Sequence, residues 1–184
     1  MNDIFNKILG ELSAPLNAID MREIDAVCER LAKAKTIVTY GCGREALQVR
    51  GFAMRLFHLG MNVSVVGDMT CPPVGKGDIF LVSSGPGELS TILALMEQSA
   101  KAGGHNIVLT AQGQGTVAKR ADTVLLIPAQ TMASDCGTGP KSILPMGSVY
   151  EGALFVLFEV MVEKIKQLVK ATPDAMRARH TNME

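Results

Sequence analysis

Short runs rich in Val, Ile and Leu alternate along this chain with longer stretches whose apolar positions recur every three to four residues. Five short runs, at 36–40, 62–66, 79–83, 106–110 and 123–127, have the length and β-branched character of strands. Strands that are apolar on both faces belong to a parallel sheet covered from both sides. Between them, 45–59, 88–102 and 116–121 suit helices, so the pattern predicts an α/β fold with a five-stranded, mostly parallel sheet. The link 66–79 has no helical period, and Cys71-Pro72-Pro73 holds it extended, which predicts a plain crossover. Ahead of the sheet, 4–12 and 21–34 read as two helices, the second capped by Asp20.

After the last strand, 129–145 is rich in Ser, Thr, Gly and Pro and has no period, the character of a lid, a partner-facing segment or disorder. A helix follows over 148–171. Its first half, YEGALFVLFEVMV, is apolar around nearly its whole circumference, which demands more cover than one sheet provides and predicts subunit contacts. Thr172-Pro173 ends it, and the polar tail 174–184 is expected to begin as a helix. The whole of 1–184 reads as one domain, with 1–34 and 148–184 expected in contacts between subunits.

Composition narrows the function. Forty-seven per cent hydrophobic residues in 184 suffice for one core. Eighteen basic and eighteen acidic residues cancel with no Lys/Arg block, so nucleic acid is not an expected partner. The most apolar run, 153–162, contains Glu159 and falls short of a bilayer span, and Asp3 and Glu11 interrupt the N-terminal apolar residues, so a cytoplasmic protein without a membrane partner is expected. Cys28, Cys42, Cys71 and Cys136 have no metal-ligand spacing, and no metal is expected. Cys42 reads as a small residue in a tight turn.

The candidate chemistry lies in two glycine-rich turns, Gly41-Cys42-Gly43-Arg44 and Ser83-Ser84-Gly85-Pro86-Gly87-Glu88, each between a strand and a helix. Such turns gather anionic ligands, because glycine lets the backbone approach and a helix N-terminus presents unpaired N–H groups. Arg44 could hold an oxyanion through its fork of donors or pair with Glu45 or Glu88. Ser84, at the strand end, and Ser90, near the helix N-terminus, are the candidate ligand hydroxyls; Ser83 serves the ligand or is the last inward residue of its strand.

YGCGRE at 40–45, GFAMRLFHLGMNVSVVGD at 51–68, GDIFLVSSGPGE at 77–88, VAKRAD at 117–122, PMGSVYE at 145–151 and RARH at 177–180 together resemble the sugar isomerase (SIS) fold, and within it the 6-phospho-3-hexuloisomerase family. The resemblance implies a flavodoxin-like sandwich with a five-stranded parallel sheet flanked by helices, a homotetramer, and interconversion of 3-hexulose 6-phosphate with fructose 6-phosphate. It also brings out departures. Where the family has serine in the first turn this chain has Glu45, and Pro86 and Leu89 replace a serine and a threonine of the second. Three hydroxyls expected on a phosphate are absent, proline removes an N–H donor, and a carboxylate repels phosphate.

Moving a carbonyl between neighbouring sugar carbons needs a base and an acid, and no cofactor. Glu151 stands at the position of the family's catalytic glutamate, early in the apolar helix, where burial disfavours a charge. Its alternative is a first-turn glutamate favoured by the helix dipole. His58 and His180 both match family positions for the second group, and a tail residue such as His180 would reach a neighbouring subunit's site. Their alternatives are a helix C-terminal partner and an exposed tail residue. Arg55 reads as an ion-pair residue and His105 as structural. The expected partner is a small sugar or sugar phosphate. The competing expectations are a non-catalytic sugar-phosphate-binding module and an isomerase of an unphosphorylated sugar.

Overall fold

The computed structural model describes residues 2–136 and 142–183. Two helices, α1 (Asn2–Asn17) and α2 (Met21–Lys33), lead into β1 (Ile37–Gly41), α3 (Gly43–His58), β2 (Val63–Val65) and β3 (Ile79–Ser83). Then come α4 (Ser90–Lys101), β4 (His105–Thr110), α5 (Thr116–Lys119), β5 (Thr123–Leu126), α6 (Ser148–Leu168) and α7 (Pro173–Ala178). The five strands form one parallel sheet in the order β2-β1-β3-β4-β5. The central strand β3 is buried at all five positions, which is why its sequence, IFLVS, shows no alternation.

One face of the sheet carries the larger core, to which α2, α3 and α6 contribute Leu31, Phe52, Leu56, Leu157 and Met161. The opposite face packs Phe80, Val82 and Val108 against Ile92 and Met96 of α4 and Val117 of α5. The 66–78 link contains no helix or strand, as its prolines predict. It lays Val66, Cys71 and Val74 over the second face instead.

Three local features differ from or sharpen the expectations. First, α1 runs on to Asn17 through Pro15, because Leu12 and Leu16 pack against the core and hold the last turn despite the lost hydrogen bond. A Cβ on Gly152 would meet Leu12 Cδ2 at 2.7 Å, so glycine there admits α1 onto α6. Second, Asp20 caps α2 by accepting the Arg22 N–H at 2.8 Å. Third, α6 ends at Leu168, three residues earlier than expected, with Lys170 in the left-handed region just beyond. The described part of 129–145 forms turns and no helix or strand; 137–141 lie outside the described residues. Among the described residues no helix is long and apolar enough to cross a membrane.

Candidate active site

The sheet order reverses between β1 and β3, whose last residues, Gly41 and Ser83, pair in register. Chain leaves β1 for α3 on one face and β3 for α4 on the other, so a crevice opens at the carboxyl ends of these two strands. Both glycine-rich turns meet there. Gly43 begins α3 at φ +56, a conformation that a side chain rarely adopts. Gly85 is required by crowding: a Cβ there would lie 2.9 Å from Tyr150 Cδ1 and 3.0 Å from Glu45 Oε1.

A cavity of about 200 Å³ occupies this crevice. Its floor is the first turn, Cys42 to Glu45, and the start of α6, Gly147, Tyr150 and Glu151. Pro86 and Leu89 form one wall, and Thr131, Met132 and Met146 close the rim. Gly147 turns the chain into α6 at φ +77, in contact so close that a Cβ would meet Met132 N at 2.8 Å. That turn aims the first turn of α6 at the crevice. Glu151 therefore lies inside it, its side chain 12% exposed, and its Oε2 accepts from Arg44 Nε at 2.5 Å. Arg44 pairs neither with Glu45 nor with Glu88. Its guanidinium, two-thirds exposed, lies at the mouth of the cavity.

Glu45 turns inward. Ser83 Oγ donates to its Oε2 at 2.5 Å, and the Gly85 N–H donates to both oxygens at 3.1 and 3.0 Å. Since the single Ser83 proton is committed to the carboxylate, the Tyr150 hydroxyl, 3.2 Å away, donates to Ser83. Burial pushes the Glu45 carboxyl above its ordinary pKa; the Ser83 and Gly85 donors pull it back and the Glu151 charge adds to the rise. Burial likewise holds the Tyr150 phenol well above its usual range, helped by the Glu45 charge.

The other expected ligand groups are placed elsewhere. Glu88 binds the Thr116 hydroxyl at 2.6 Å and its N–H at 2.8 Å, contacts that lower its pKa and tie the second turn to α5. The Gly87 N–H closes the turn onto Ser84 O at 3.0 Å. Ser84 is fully buried, its Oγ without a hydrogen bond among the described residues, and Ser90 is exposed at the start of α4. Arg55 forms the ion pair expected of it, with Glu159 at 3.6 Å, and His105 bonds Thr123 Oγ1 at 2.9 Å.

His58 and His180 do not join Glu151 within one chain. They line a second cavity of about 470 Å³ between α3 and α6, with ring centroids 5.3 Å apart. Glu45 and His58 stand thirteen residues apart on α3, roughly 20 Å at its rise per residue. Sequence reasoning missed Tyr150 and the inward course of Glu45. Tyr150 did leave a signal, a polar-tipped aromatic next to the candidate base at the head of an apolar run. Among the described residues no group of three or more His, Cys, Asp or Glu is placed to hold a metal ion.

The chain is similar to known proteins over nearly its whole length. The SIS domain model matches residues 30–156. A 3-hexulose-6-phosphate isomerase of Bacillus subtilis strain 168 is 29% identical over 97% of this chain and 96% of its own length. One from Methylomonas aminofaciens is 30% identical over 100% of both chains. A solved Methanococcus jannaschii protein, for which that isomerase function has been inferred, superposes with a TM-score of 0.85 at 24% identity, covering 99% of each chain.

Proposed function

From the chain's membership of the SIS domain family, as an isomerase of the 6-phospho-3-hexuloisomerase kind, we propose that it interconverts 3-hexulose 6-phosphate and fructose 6-phosphate through an enediol. The observation that carries the proposal is Glu151: a carboxylate inside the crevice at the strand switch point, oriented by Arg44 at 2.5 Å and reached from both glycine-rich turns. A binding module needs no base in its cavity. In this reading Glu151 removes the proton from the hydroxyl-bearing carbon beside the carbonyl and delivers it to the former carbonyl carbon, while a second group moves a proton between the two oxygens of the enediol. Arg44 holds the carboxylate in place, and its exposed guanidinium stabilises the oxyanion that develops.

The second acid–base group comes from a neighbouring copy. His58 is buried, whereas His180 lies exposed in the tail, so His180 is the member of the pair placed to reach across. The assembly this requires is supported by an apolar outer surface on α3 and α6: Leu47, Met54, Phe155, Val156 and Val160 are all more than a third exposed. The same surface supports the homotetramer that the resemblance implies, with α6 at its centre.

A panel of sugars and sugar phosphates in a thermal melt tests the substrate class. A ligand that binds only the folded state raises the melting temperature in proportion to RT ln(1 + [L]/Kd). Fructose 6-phosphate is expected to raise it more than fructose at the same concentration. Equal shifts would favour an unphosphorylated substrate, and no shift with any sugar would count against the proposed function.

A further inference from the structure

The carboxylate of Glu45 occupies the donors that an anionic ligand would use at the second turn. It takes the Gly85 N–H with both oxygens and the Ser83 hydroxyl with one, the pattern in which a turn binds a phosphate or sulfate oxygen. Gly85 has no room for a second occupant, since Glu45 Oε1 already lies 3.0 Å from where its Cβ would be. Two anions cannot share one N–H and one hydroxyl in a buried site, because the like charges repel and the donors are already committed. Resting on the sugar-phosphate reading above, we propose that Glu45 is a specificity-determining residue, a resident anion that admits an oxyanion of the substrate to the second turn only in exchange for its own charge.

The exchange takes up a proton. Once a ligand oxyanion holds Gly85 and Ser83, the Glu45 carboxyl has lost the donors that stabilise its charge, while burial and Glu151 continue to oppose it. The favoured product is the bound oxyanion with a protonated Glu45. The groups facing Glu45 are few. From α6 come Glu151, paired with Arg44, and Tyr150, whose phenol remains protonated; from the end of β3 and the turn after it come Ser83 and Gly85; at the start of α3 Cys42, just before the helix, and Arg44 flank it. Thr131, Met132, Met146 and Gly147 on the rim carry no titratable side chain. Among the described residues the one cation facing this site, Arg44, is committed to Glu151, so the proton neutralises the added charge. The sign follows: binding that consumes a proton strengthens as pH falls, by at most about ten-fold per pH unit for one proton. Neutral sugars, which bring no charge to the turn, bind without this dependence.

Sulfate tests the exchange without interference, because it is an isostere of phosphate that does not titrate between pH 5.5 and 8. Calorimetric titration with sodium sulfate at constant ionic strength should show wild-type affinity rising as pH falls, with about one proton taken up in buffers of different ionisation enthalpy. Glu45→Ser, which empties the turn, should bind sulfate about ten-fold or more tighter at pH 8 and show a flat pH profile. Glu45→Gln keeps the side chain's size and an acceptor for Gly85, and should likewise give a flat profile. A wild-type affinity independent of pH, or a slope that survives in both variants, would overturn the proposal. Sulfate has no reacting carbon, so the proposed isomerase activity could fail while this exchange stands, and the reverse.

Discussion

Glutamine in place of Glu151 is expected to lower turnover by about 100-fold or more while the protein stays folded. The amide is nearly isosteric and can still accept from Arg44 Nε, so the contact at 2.5 Å loses its charge but keeps its geometry. What it cannot do is take a proton from carbon. General base catalysis typically supplies ~10²–10⁴ in rate, so the loss should fall in that range and appear in kcat. Circular dichroism and sedimentation unchanged from wild type would assign the loss to chemistry. A Glu151→Gln enzyme within a few-fold of wild type would remove Glu151 as the base. If His180 supplies the second group, His180→Asn should also slow turnover, and mixing it with Glu151→Gln should recover activity in mixed oligomers that pair an intact Glu151 with an intact His180. Neither variant would recover the other if both groups acted within one chain.

The second large effect is on stability and separates two phenylalanines one turn of α6 apart. Phe158 is 3% exposed and stacks on Phe52 with ring centroids 4.2 Å apart and planes 5° from parallel. Phe158→Asp removes that stack and places a carboxylate in the core, a change that costs several kcal/mol between lost burial and unpaired charge. Against a total of about 5–15 kcal/mol, the expected result in urea unfolding is a chain largely unfolded at 37 °C. Phe155 is 55% exposed on the outer face of the same helix. Phe155→Asp should leave the chain folded and weaken assembly alone, read as a shift to smaller species in sedimentation. From the sequence, both residues belonged equally to a helix expected in subunit contacts. The structure divides them, giving Phe158 to the core and Phe155 to the surface.

That division shows where sequence reading reaches its limit. The strands were legible because parallel strands buried on both faces are continuous apolar runs; β3 matches its expected range of 79–83. The two turns and Arg44 stood out because glycine spacing is a local signal, whereas Glu151 stood out through the family resemblance, since its place in a first helical turn alone reads as a helix-dipole glutamate. Helix ends were less so: α1 outlasts its expected end because Leu12 and Leu16 find partners in the core, information that no local window contains. The polar constellation was hidden for the same reason. Arg44 and Glu151 meet across 107 positions of chain, and Glu45, Ser83 and Tyr150 converge from three elements. Glu45 was visible as a charge beside an anion cradle, but that it would fill the cradle depends on the direction in which α3 leaves β1. The histidines show the opposite case: both stood out in the sequence, but no local signal told that α3 carries His58 away from the crevice that its other end lines.

In the proposed reaction this crevice moves a proton between adjacent carbons of a hexulose 6-phosphate with Glu151 as the base. Proton NMR of the enzyme incubated with fructose 6-phosphate in deuterium oxide tests it most directly. The predicted result is exchange of deuterium into the position beside the carbonyl together with the appearance of 3-hexulose 6-phosphate, both strongly slowed in Glu151→Gln. Fructose 6-phosphate that neither exchanges nor converts, at an enzyme concentration where it demonstrably binds, would contradict it.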